Sequence, residues 1–215
     1  MAAPNLSRLS IIFAATIAVI LGGPVLGQER VDAGTDRPET IISQRIELPN
    51  GELILKQTVL VDASLEDTWR YFTESEYISR WMAPVAAAEI APGGRIQTHY
   101  DACASIGEAG TISLDIVNFV PQRLITLQSN LETSRDASWM SDAIYERRND
   151  LYNIIEFAPA SEDQTRITSW GLGYRQEPEW DAMLGFFVAG NEWTYSNLQR
   201  ALRGGSIWPE CAEER

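Results

Sequence analysis

Histidine is almost missing from this chain: His99 is the only one in 215 residues. That excludes metal sites built on several histidines, and no Cys-x-x-Cys pair replaces them. A Ser-His-Asp triad could draw only on His99, and the chain has no G-x-S-x-G nucleophile elbow. Residues 95, 97 and 99 share one face of a strand, which puts His99 at an exposed position or a cavity rim. Basic residues are scarce as well: 17 Lys and Arg against 30 Asp and Glu leave a net charge of −13. Nucleic acid and anionic lipid surfaces both need a positive protein face, so neither is an expected partner. There is no P-loop and no dinucleotide-binding glycine fingerprint. Gly171-Leu172-Gly173 follows a strand but opens no helix, which fits a bulge or local strand flexibility. No cofactor and no metal is expected.

Long apolar runs are also lacking. The longest, Ile11–Leu21, is short for a membrane span. It follows Arg8 and ends at Gly22-Gly23-Pro24, with Val25-Leu26-Gly27 at the positions read by a signal peptidase. Residues 1–27 therefore read as a signal peptide, cleaved before Gln28, and the folded part as periplasmic or secreted. An uncleaved anchor is the rival reading. Stable membrane insertion is not expected once the leader is removed. Cysteine is limited to Cys103 and Cys211. Export and an even count favour a Cys103–Cys211 disulfide; the alternative is two separate thiols, one in a loop and one in a tail.

Most of the chain is pattern-rich. Weak alternation at Ile42, Gln44, Ile46 and Leu48, the turn Pro49-Asn50-Gly51, and stronger alternation at Leu53, Leu55, Val59 and Val61 predict a hairpin. Ser64 can cap a helix carrying Leu65, Trp69 and Phe72 on one face. A second short helix ends before Pro84. Strands follow over 86–90, 95–100, 111–120, 124–129, 151–157 and 165–174. Within them Asp115 and Glu156 alternate onto the outer face. Residues 131–150, with Trp139, Met140 and Tyr145 among charges, read as a flap or an insertion with a short helix. Residues 179–202 carry an apolar stripe at helical spacing, stopped by Gly204-Gly205.

The ordered set V-D-A-S (62 to 64 with Val61), W-x-x-F (Trp69, Phe72), R-W-M-A-P (80–84) and P-G-G-R (92–95) resembles the SRPBCC/START-like superfamily. Within it, the set is most similar to the branch named after the activator of Hsp90 ATPase homologue 1. The resemblance covers about Glu52 to Leu202. It implies an α+β helix-grip fold, in which a curved antiparallel sheet wraps a long C-terminal helix and two short helices follow the first core strand. The organisation expected is a leader (1–27), a linker with an extra N-terminal strand (28–51), the domain (52–203) and a tail (204–215). The resemblance also implies an apolar cavity bordered by the helix stripe. Its known activities run from lipid and polyketide binding to cyclase and hydrolase chemistry and co-chaperone work, so membership does not fix function.

Within that frame, Met183, Phe187 and Asn191 are the expected helix side of the cavity, with Trp81 and Trp170 on the opposite walls. Trp139, Trp180 and Trp193 are further wall candidates, although each fits the core equally well. Asn191 is an amide inside the apolar stripe beside Gly190. It either ties to neighbouring backbone or serves a ligand. Three functions follow: binding of a small apolar molecule, a cyclase- or hydrolase-type enzyme, or a co-chaperone. Export weighs against the last, whose partners are cytosolic. The first two separate on whether ionisable groups converge in the cavity.

Overall fold

The computed structural model describes residues 41–211; the leader expected over 1–27 lies outside them. The described chain opens with the hairpin β1 (Ile42–Glu47) and β2 (Glu52–Val61). Gly51 takes a φ of 82° at its turn, a conformation glycine adopts without a Cβ penalty. In β2 the odd residues Leu53, Leu55, Gln57, Val59 and Val61 are buried and face the core. Helix α1 (Leu65–Thr73) starts at Ser64, whose side chain accepts from the Asp67 N–H. Helix α2 (Ser75–Ile78) is shorter than the sequence pattern suggests, because Ser79–Met82 continue as turns.

Six further strands form a meander: β3 (Val85–Ala88), β4 (Arg95–His99), β5 (Ile112–Val120), β6 (Leu124–Ser129), β7 (Tyr152–Pro159) and β8 (Thr165–Arg175). The eight strands form one antiparallel sheet in the order β1-β2-β8-β7-β6-β5-β4-β3. Because β2 pairs with β8, the chain must cross from the β2 side of the sheet to its far edge at β3. Helices α1 and α2 make that crossing. The last element is α4 (Asp181–Gly204), 24 residues long. It ends with Gly205 at a φ of 89°. This is a helix-grip arrangement: a curved sheet closed over one long helix.

Residues 131–150 connect β6 to β7. They contain two short 3-10 turns and α3 (Asp142–Glu146), capped by Ser141. Ile144 is fully buried and anchors the segment under the first half of α4.

The apolar interior falls into two clusters. One gathers Val59, Val61, Phe72, Ile78, Trp81, Ile116, Ile125 and Ile167 against Tyr195, Leu198 and Ala201 of α4. Phe72 lies 4.9 Å from both Trp81 and Phe157, and the Trp81 indole donates to the Tyr71 carbonyl at 2.8 Å. The other gathers Leu53, Leu55, Ile144, Leu151 and Tyr174 against Trp180, Met183 and Leu184. Each end of α4 is thus buried in its own cluster, at about 1.5–3 kcal/mol per large side chain.

Cys103 and Cys211 are joined, with their Cα atoms 4.9 Å apart. The bridge holds the tail against the loop after β4. Trp208 lies 6.2 Å from Tyr100 and 5.7 Å from Trp193, and Ile207 donates to the Arg80 carbonyl. The bridge spans a sequence separation of 108, and a loop of about that length is worth about 4.7 kcal/mol by chain entropy. Reduction should therefore lower the melting temperature by roughly 10 °C in a domain of this size. Scanning calorimetry with and without a thiol reductant checks this; equal melting temperatures would mean that the bridge adds no stability.

Candidate functional site

Between the two clusters lies a cavity of about 190 Å³. Its roof is the middle of α4, through Met183, Phe187, Asn191, Thr194 and Tyr195. Its floor runs across the concave face of the sheet from Leu55 to Leu114, and Phe72, Trp81 and Met82 close one side. Tyr100 and Ile112 line it and are about half exposed, so they mark where it meets solvent.

Four of the five residues expected at the cavity line it: Trp81, Met183, Phe187 and Asn191. Trp170 does not. From Thr165 to Gly171 the buried positions of β8 alternate (Thr165, Ile167, Ser169 and Gly171), so strand alternation sends Trp170 to the convex face. There the Lys56 ammonium sits 4.8 Å from its ring, and its indole N–H donates to Glu156 at 2.7 Å. The other tryptophans also lie elsewhere. Trp180 is in the second core cluster. Trp139 stacks on Phe186 at 5.3 Å, and Trp193 is half exposed beside Tyr100.

His99 is neither exposed nor at the rim. The loop between β4 and β5 covers it: Nδ1 accepts from the Asp101 N–H at 3.0 Å, and Nε2 pairs with the Ala109 carbonyl at 3.1 Å. Both ring nitrogens are thus engaged by the loop, which the imidazole holds in place. Its neighbour Thr98 faces the cavity instead.

Asn191 ties to a side chain, not to backbone. Its Nδ2 donates to Gln57 Oε1 at 2.8 Å. Gln57 Nε2 donates to Ser43 Oγ at 3.0 Å and the Val188 carbonyl at 3.4 Å, and Ser43 donates to Glu192 at 2.6 Å. The amide is thus the cavity end of a polar relay that seats α4 on β1 and β2.

Sequence reasoning missed the polar residues on the sheet side: Asn153, Ser169 and Tyr174 all line the cavity. Ser169 donates to Asn153 Oδ1 at 2.7 Å. Tyr174 reaches the concave face through a bulge. Leu53 pairs with Tyr174 but Leu55 pairs with Gly171, so β8 carries one extra residue there and its alternation shifts. Gly173 takes a φ of 90°, and a Cβ on it would lie 2.1 Å from the Asp150 carbonyl oxygen. The motif Gly171-Leu172-Gly173 was the visible signal of this bulge.

Among the described residues, no cavity-lining side chain is charged. The ionisable groups that line it are tyrosine phenols. Burial pushes Tyr195 up to about 12, with a hydrogen bond to Ser169 acting the other way. Burial pushes Tyr174 up further still. Both phenols therefore stay neutral across physiological pH, and no carboxylate or imidazole converges on the space to act as a general base.

The sequence profile described as Activator of Hsp90 ATPase homolog 1-like protein matches residues 62–203. No curated protein sequence matches the chain. Solved structures share its fold. CalU16 from Micromonospora echinospora, in solution, aligns with a TM-score of 0.55 at 17% identity over 83% of each chain. A conserved protein of unknown function from Enterococcus faecalis gives 0.54 at 13% identity, covering 80% of this chain and 82% of its own. The Aha1 dimer from Colwellia psychrerythraea gives 0.53 at 14% identity, covering 71% of this chain and 97% of its own. At these identities the likeness is one of fold.

The relay yields a test. Replacing Asn191 with Leu leaves the buried Gln57 Oε1 without its donor, so Asn191→Leu should destabilise the domain by about 1–3 kcal/mol in urea denaturation. An unchanged midpoint would show that the amide pair does not hold the helix.

Proposed function

We propose that this chain, which belongs to the Activator of Hsp90 ATPase homolog 1-like family, binds a small neutral apolar molecule in the cavity under α4. One observation carries the reading: the cavity is lined by apolar groups and neutral polar ones, with no charged side chain among the described residues. An ionised ligand would lose its hydration there without a counter-charge. A volume of about 190 Å³ suits one ring with a short substituent, since an apolar cavity of about 150 Å³ takes up benzene.

The same observation weighs against a hydrolase, which needs a base or nucleophile at the reacting atom. A co-chaperone role, suggested by the family's name, requires a cytosolic location. We place the domain outside the cytoplasm, on the leader-like sequence over 1–27 and the Cys103–Cys211 bridge. N-terminal sequencing of the mature protein should then begin at Gln28.

Toluene, benzoate and benzylammonium separate the binding readings by charge at nearly constant shape. Toluene should raise the melting temperature in proportion to the logarithm of its concentration above Kd, while the two ions leave it unchanged. Stabilisation by benzoate or benzylammonium equal to that by toluene would overturn the neutral-ligand reading.

A further inference from the structure

After α4 the chain turns at Gly205 and runs as an irregular tail to Cys211. That tail touches three sides of the cavity mouth. On the sheet side, the Trp208 ring meets Tyr100 edge-on at 6.2 Å, and Tyr100 lines the cavity. On the helix side, Trp208 lies 5.7 Å from Trp193, the neighbour of the lining residue Thr194. On the third side, the Ile207 N–H donates to the Arg80 carbonyl at 3.2 Å, directly before the lining residues Trp81 and Met82. Tyr100 and Trp193 also meet each other, at 6.5 Å. Trp208 therefore packs across the seam between helix and sheet where the cavity opens.

The tail has a small apolar footprint of its own. Ile207 and Trp208 are half-buried, while Ser206, Pro209, Glu210 and Cys211 are exposed. A segment with so few buried apolar groups opens readily by itself. The Cys103–Cys211 bridge closes its far end onto the loop between β4 and β5. That loop keeps a separate anchor at His99, through the Asp101 N–H and the Ala109 carbonyl. Breaking the bridge thus frees the tail and leaves the loop in place. Both cysteines are exposed, so a thiol can reach the bridge.

We propose that residues 205–211 are a redox-released latch on the mouth of the cavity. With the bridge intact, Trp208 holds Tyr100 against Trp193, and small molecules enter and leave slowly. A dithiol reductant opens the latch. One of its thiolates attacks a sulfur of the bridge and forms a mixed disulfide, while the other cysteine leaves as a thiolate and takes up a proton. The second thiol of the reductant then displaces the remaining cysteine and closes the reductant's own disulfide. Two electrons pass from the dithiol to the bridge. Trp208 then leaves the seam and exchange speeds up. This rests on the neutral-ligand reading and adds control of entry and release at that site.

Toluene is the probe. NMR magnetisation transfer gives its exchange rate between free and bound pools in the oxidised protein, the protein reduced with dithiothreitol, and oxidised Trp208→Ala. Circular dichroism is the folding control. Reduction and Trp208→Ala should each speed exchange by about 3- to 10-fold, the loss of the ring contacts that Trp208 makes at the seam. Ser64→Ala removes the cap of α1 and lowers stability without touching the tail, so it should leave exchange unchanged. If the reduced protein does not stay folded, oxidised Trp208→Ala carries the test. No change on reduction or in Trp208→Ala, or an effect of Ser64→Ala as large as that of Trp208→Ala, would overturn the latch while leaving the neutral cavity standing. Binding of toluene only after reduction would support it. If toluene binds none of these forms, the neutral-ligand reading fails and the latch falls with it.

Discussion

Helix α4 is seated on the sheet by hydrogen bonds that reach its first two strands. Ser43 donates to Glu192, Asn191 donates to Gln57, Gln57 donates to the Val188 carbonyl, and Gln199 donates to the Leu60 carbonyl. These ties fix the rotation of the helix and its register along β2. Its two ends are then buried in separate apolar clusters. The middle of the helix presents Asn191 and Thr194, polar side chains that do not fill the space over the sheet. The cavity follows from that geometry: a stiff helix anchored at both ends spans a concave sheet it cannot fully occupy.

The position of the cavity decides its chemistry. It lies between clusters of Ile, Leu, Phe and Trp, so any ion inside it would be desolvated. The polar groups that line it are neutral, and their hydrogen bonds are partly spent within the protein. Asn191 looks toward the helix relay, while Asn153 and Tyr174 look into the space. The family relationship places this cavity in a fold that many proteins share, and the lining residues belong to this chain. Function is therefore argued from the lining.

Much of the fold was legible in the sequence because its signals are local. Asn50-Gly51 marks the hairpin, Ser64 caps α1, and the stripe from Met183 to Leu202 marks the long helix. Trp81 and the helix side of the cavity followed from the stripe and the family resemblance. The failures share a cause in strand parity. Trp170 looked like a wall residue because of its size, but its even position in β8 turns it outward. Tyr174, also even, turns inward only because the bulge shifts the alternation, and the length of a bulge depends on pairing with β2, which lies far away in the sequence. His99 shows the same limit. Its parity was legible, but not the loop that folds back over it, which is held by the imidazole's hydrogen bonds with the Asp101 N–H and the Ala109 carbonyl.

The account rests on the cavity under α4 being where a small neutral molecule goes. The chain offers competing apolar surfaces, at Tyr100 with Trp193 and Trp208, and at Trp139 with Phe186. A carbon-edited nuclear Overhauser experiment on the toluene-saturated protein distinguishes them directly. The account predicts cross-peaks from the toluene ring protons to the methyl groups of Met183, Leu127 and Ile155, which line the cavity. Cross-peaks confined to the exposed aromatic groups would contradict it.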